Sequence, residues 1–194
     1  DHRESRGLGD VYKRQSLLYV PSMAPFDLYD AERKSHVKLY VNRVFISENT
    51  KGLVPAYLRF LRGVVDSEDL TLNVSREMLQ SDPKLAKIKA ALSKKVIGAL
   101  KKKASKAPQE YAEFWGNFGA VLKEGLIDDP SLRDRLLEIS RFSSTLNGEL
   151  TSLSDYVGRC KEGQDAIYYM TGDDAKKISQ SPHPVSYTHL RAHE

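Results

Sequence analysis

The hydrophobic positions of this chain change their period near residue 83. Upstream, Leu17 to Val20 form a short apolar run stopped by Pro21, and Val37, Leu39 and Val41 alternate with polar neighbours before the apolar Val44, Phe45 and Ile46. Alternation with period two puts every second side chain on one face, so this stretch predicts a sheet strand. Val54 to Phe60, with Pro55 in its first turn, predicts a short helix. Leu61 to Asp66, carrying two valines and a glycine, predicts a second strand.

Downstream the spacing becomes three to four. Asp82 before Pro83 supplies an N-cap followed by proline at the first helical position, and Leu85, Ile88, Leu92, Val96 and Leu100 then mark one face of a long amphipathic helix. A second helix is expected from Pro108, with Tyr111, Phe114, Trp115, Phe118 and Leu122 on one face and Gly125 as its stop. A third begins at Asp129–Pro130 and carries Leu132, Leu136, Leu137 and Ile139. Ser152 and Asp155 have the spacing of a capping box, with Asp in place of Glu, ahead of a short helix through Arg159. Ala166 to Met170 predicts a buried strand.

Composition narrows the class. With 194 residues, 40% hydrophobic and 29% charged, the chain is long enough for one sizeable core or two small ones. No run approaches the roughly 18 apolar residues of a membrane span, and no signal-peptide core is visible, so no membrane partner is expected. Cys160 is the only cysteine, which excludes an internal disulfide, a cysteine zinc site and a CxxC redox motif. A reducing, cytoplasmic setting is the simplest expectation. Residues 1–15 and 184–194 are polar and aperiodic; they resemble translated adaptor sequence and are expected to be appended, non-native segments.

Four features carry candidate chemistry. Arg76 and Gln80, within Asn73-Val74-Ser75-Arg76-Glu77-Met78-Leu79-Gln80, are one helical turn apart, and a guanidinium beside an amide suits phosphate oxygens. On spacing alone the plainer reading, a surface arginine and a capping glutamine, prevails. Lys84 to Lys106 contains nine lysines and no acidic residue, which suits a phosphate polymer or an anionic membrane, or simply a solvated face. The aromatic stripe from Tyr111 to Phe118 fits an exposed partner-binding patch or, as helical spacing favours, core packing. His189 and His193 have the spacing of a helical metal pair but no positioned third ligand, so no metal site is expected. Walker, GxSxG and glycine-rich nucleotide motifs are absent from residues 16–183, so no tightly bound cofactor is expected on this chain alone.

The stretches LLYVPSMAPFDLYD, KLYVNRVFI, YLRFLRGVVDSEDLTLNVSREMLQ, FWGNFGAVLKEG and SLSDYVGRCKEGQDAIYYMTG occur in the order seen in the middle domain of bacterial heat-shock protein 90 chaperones. From about Ser16 to His183 the chain resembles that family. The resemblance implies an α/β fold: an α/β sandwich of the transducer type shared with a ribosomal protein domain, then a helical linker bundle and the start of a second α/β unit. In these terms residues 16–82 are the α/β part with the catalytic loop, 83–160 the helical part, and 161–183 the start of the second α/β unit. It further implies that Arg76 meets the γ-phosphate of ATP, with Gln80 as the neighbouring polar contact. ATP and Mg would be held by a separate N-terminal domain, so this chain alone is expected to be inactive. Implied partners are that N-terminal ATPase domain, a C-terminal dimerisation domain, a second parent copy and unfolded or partly folded clients. Thr71 stands where the family usually has proline, which loosens the start of the loop. Nucleic acid is not expected as a partner of a family member; a basic RNA- or ribosome-binding module is the alternative reading.

Overall fold

Four strands pair in the order β1 (Arg14–Tyr19), β4 (Arg62–Ser67), β2 (His36–Val41), β3 (Val44–Ser47). The β1–β4 and β2–β3 pairs are antiparallel and β2–β4 is parallel. This computed structural model describes residues 14–30, 36–50, 52–70, 82–146 and 148–172. They fall into two compact units, one ending at Ile139 and one beginning at Ser140.

The alternation in β2 does what its period dictates: Val37, Leu39 and Val41 are buried while His36 and Lys38 are exposed. The parallel register sets Leu39 opposite Val65, so the buried face continues into β4. Val44 to Ile46 do not prolong β2 as the apolar pattern suggested. Asn42 and Arg43 take positive φ values of 50° and 66°, forming a two-residue hairpin that sends Val44–Ser47 back as β3. Two consecutive left-handed residues match the twist of the flanking strands. Gly63 in β4 has φ of 136°, and a Cβ there would lie 2.0 Å from the Leu17 carbonyl oxygen, so only glycine lets β1 approach.

The segment predicted as a helix over Val54–Phe60 shortens to a 3-10 turn, Ala56–Leu58, with Pro55 at its N-cap. It inserts Tyr57, Leu58 and Phe60 into the core. Helix α1 (Pro83–Lys106) starts as expected, the Asp82 carboxylate accepting the Lys84 N–H at 2.8 Å. Its buried stripe is Leu85, Ile88, Leu92, Ile97 and Leu100; Ile97 takes the deep position and Val96 lies at its edge. Ala107, kept out of the helical region by the following proline at φ −140° and ψ 69°, breaks the helix for one residue before α2 (Pro108–Asp128).

Gly125 does not end α2, which runs on to Asp128. A Cβ at Gly125 would sit 2.7 Å from the Tyr57 ring and 2.9 Å from Leu136, so the glycine is there for close packing. From Asp129 the chain makes a 3-10 turn, Pro130–Leu132, into α3 (Arg133–Ile139), burying Leu132, Leu136 and Ile139. Leu137 is half-buried. The aromatic stripe is core: Phe60, Phe114 and Phe118 have ring centroids 4.9 to 5.6 Å apart, and the Tyr111 hydroxyl donates to the Ile139 carbonyl at 2.6 Å. Offset and edge contacts of this kind add about 0.5–1.5 kcal/mol beyond area burial.

The second unit has a minimal antiparallel pair, β5 (Phe142–Ser143) with β6 (Leu150–Thr151), and one short helix, α4 (Leu153–Gly158). The capping box forms: Ser152 Oγ accepts the Asp155 N–H at 3.0 Å and the Asp155 carboxylate accepts the Ser152 N–H at 3.4 Å. Ala166 to Met170 form no strand; all five residues are exposed and irregular. A strand needs a neighbour for its backbone groups, and none among the described residues pairs with this segment.

Candidate functional site

Arg76 and Gln80 lie outside the described residues, as do Thr71, His189 and His193. The structure does fix both points from which residues 71–81 depart. On one side β4, paired on both edges, leads through the buried Ser67 to the buried Leu70. On the other, Leu85 anchors the first turn of α1 in the same apolar cluster. The Lys84 ammonium donates to the Asp69 carbonyl oxygen at 2.7 Å, so the two ends are bridged directly. The described residues on either side of 71–81 are therefore held close together.

Two long-range polar contacts that local sequence patterns do not reveal join the 3-10 turn and the residue after it to α2 and its C-cap. Arg59, one residue beyond the 3-10 turn, donates from Nη2 to Glu124 Oε1 at 2.8 Å and from Nε to the Leu28 carbonyl at 2.8 Å, tying α2 to the loop after β1. The hydrogen bond from Arg59 holds the Glu124 carboxyl below its ordinary value, and the Glu124 bond raises the guanidinium further. Tyr57 Oη donates to Asp129 Oδ2 at 2.9 Å, and Ser131 Oγ donates to Oδ1 at 2.6 Å. Burial, with the Asp129 bond next, pushes the Tyr57 hydroxyl well up. Burial alone would raise the Asp129 carboxyl, but the Ser131 and Tyr57 hydrogen bonds bring it below its usual range. The partners in these two pairs are 65 and 72 residues apart, so no periodicity could have announced them.

The aromatic stripe is buried and presents no patch, and the lysines of α1 line its solvent side. No group of three metal-ligating side chains occurs among the described residues. No helix among them is long and apolar enough to cross a membrane.

A mixed four-stranded sheet followed by the long helices α1 and α2 in one compact unit defines the class as α/β. A solved structure titled as the middle domain of a putative heat shock protein from Plasmodium falciparum shares this fold, with TM-score 0.76 and 28% identity over 91% of this chain and 70% of that one. The family model described as Hsp90 protein matches residues 9–188, and the chain belongs to the Hsp90 family. It is 79% identical over 168 residues to the chaperone protein HtpG of Roseobacter denitrificans and 55% identical over 166 residues to that of Paramagnetospirillum magneticum. These matches cover 87% and 86% of this chain, which spans 27% of the length of each relative.

Proposed function

We propose that this chain is the middle segment of an ATP-dependent chaperone that holds or folds client proteins in the bacterial cytoplasm as a homodimer. In this reading residues 16–82 and 83–160 are its α/β and helical parts, and residues 161–183 open a second α/β unit. The name carried by its relatives, chaperone protein HtpG, supports the reading. The observation nearest the proposed site is the hydrogen bond from Lys84 to the Asp69 carbonyl, between residues that flank the stretch containing SREMLQ.

ATP with Mg, bound to a separate N-terminal domain, would supply the phosphoryl group. This chain's contribution is Arg76, whose guanidinium neutralises charge on the γ-phosphate oxygens, with Gln80 as the adjoining polar contact. Arginines in this role in other NTPases are worth about 10³ to 10⁵ in rate, and a slow chaperone ATPase needs less. Arg76→Ala in the full-length parent should lower ATP turnover while nucleotide affinity holds; unchanged turnover would remove the catalytic role.

A further inference from the structure

The solvent side of α1 is a second feature that the proposed chemistry leaves unused. Its 24 residues carry nine lysines and no acid. Two of these lysines are neutralised from neighbouring helices, Lys101 by Glu138 at 2.6 Å and Lys103 by Glu110, and Lys84 is engaged with the Asp69 carbonyl. Lys87, Lys94, Lys95, Lys102 and Lys106 are all exposed, and none has an acidic partner among the described residues. At 3.6 residues per turn these five fall within an arc of about 120° and extend along about 28 Å of the helix. Beside Lys84, and Ile88 buried at its edge, the other residues on that arc are Ala91, Gly98 and Ser105, all exposed and too small to hold a polymer off the surface.

The character of this face selects its ligand. Protein interfaces are depleted in lysine and rely on aromatic, methionine or arginine anchors, none of which occurs on this arc. All five cations are lysines, point charges that suit single phosphates and lack the bidentate fork that reads bases. With no aromatic side chain present, bases have nothing to stack on, so binding would ignore sequence. A duplex is a rigid cylinder, and two convex cylinders touch over only a short length; a flexible single strand can follow all five charges. We propose that this face of α1 binds single-stranded nucleic acid through its phosphates, independently of sequence.

Fluorescence anisotropy of a short labelled oligouridine, titrated with the chain at several salt concentrations, tests this. If five phosphates are engaged, log K should fall against log salt with a slope of about −3.5. The combined variant Lys87→Glu, Lys94→Glu, Lys95→Glu and Lys102→Glu should lose at least about tenfold in affinity and most of the slope. All four positions are exposed, so circular dichroism should be unchanged; the matching Lys→Gln set serves if the charge reversal unfolds the helix. No binding at low salt, or binding equally strong in both variant sets, would overturn the proposal. Equal competition by polyglutamate, inorganic polyphosphate or anionic vesicles would also overturn it, by showing a face that takes any anion.

Discussion

The two units solve the problem of holding a fold in opposite ways. The first buries a continuous set of apolar side chains running from Leu28 to Ile139, with polar contacts such as Tyr57–Asp129 placed where helices and turns must be fixed in position. In the second unit the buried residues among those described are Ser140, Thr151 and Ser152, all polar. Several of its larger apolar side chains, including Val157 at 56% and Tyr169 at 82%, are exposed, while Phe142, Leu153 and Tyr156 are half-buried. Order there comes from hydrogen bonds: the Ser152–Asp155 box, Arg159 donating to Thr151 and Ser144, and the Tyr156 hydroxyl accepting from Gln164 and from the Tyr168 N–H. A polar framework fixes geometry, but each such bond contributes only about 1 kcal/mol net, whereas burying a large apolar side chain contributes about 1.5–3 kcal/mol. Among the described residues the contrast is between order held by apolar burial and order held by hydrogen bonds.

The sharpest way to break this comparison is to remove a core ring. Phe118→Ala should cost about 3–5 kcal/mol in urea denaturation, because the space between Phe60 and Phe114 is left unfilled. Gly125→Ala tests close packing instead of cavity formation. The added methyl meets the Tyr57 ring and Leu136, so a loss of about 1–3 kcal/mol is expected, despite alanine's better helix propensity. A gain in stability would mean that the glycine serves only as a helix weak point.

In the second unit Ser152→Ala should cost about 1 kcal/mol, seen as faster amide exchange confined to α4 and its flanks. Spread of that effect into α1 or α2 would contradict the description of two separately held units. The smallest effect is expected at Glu124→Gln, about 1 kcal/mol or less, because the pair with Arg59 is partly exposed. Its pH dependence has a definite sign. The native Glu124 carboxyl lies below its ordinary value of 4.5, so its stabilisation is complete above that value and disappears as pH falls through the lowered native one. The difference between wild type and Glu124→Gln should therefore vanish in acid; a difference that grew on acidification would contradict the pairing.

Much of the first unit was legible in the sequence because its signals are local. Period two gave β2, the Asp82–Pro83 pair gave the start of α1, and the spacing of Tyr111 to Leu122 gave the buried face of α2. Errors arose where a distant partner decided the outcome. Gly125 has the look of a terminator, but the residue that requires it is Tyr57, far away in sequence. Ala166–Met170 has strand composition, but composition supplies no neighbouring strand. The hairpin at Asn42–Arg43 was hidden because arginine occupies a left-handed position where glycine would have announced the turn. The candidate site was legible only through family resemblance: the spacing of Arg76 and Gln80 is common, whereas the run of residues around it is not. Arg59 and Glu124 gave no local signal at all.

The central proposal is that this segment supplies an arginine to a nucleotide held by another domain. The direct test is a chimera in which residues 16–172 replace the matching segment of the Roseobacter denitrificans relative, with ATP turnover and nucleotide affinity measured separately. The account predicts turnover at the relative's own rate, and a fall of at least about tenfold with unchanged affinity on adding Arg76→Ala. A chimera whose turnover is indifferent to Arg76→Ala would contradict it.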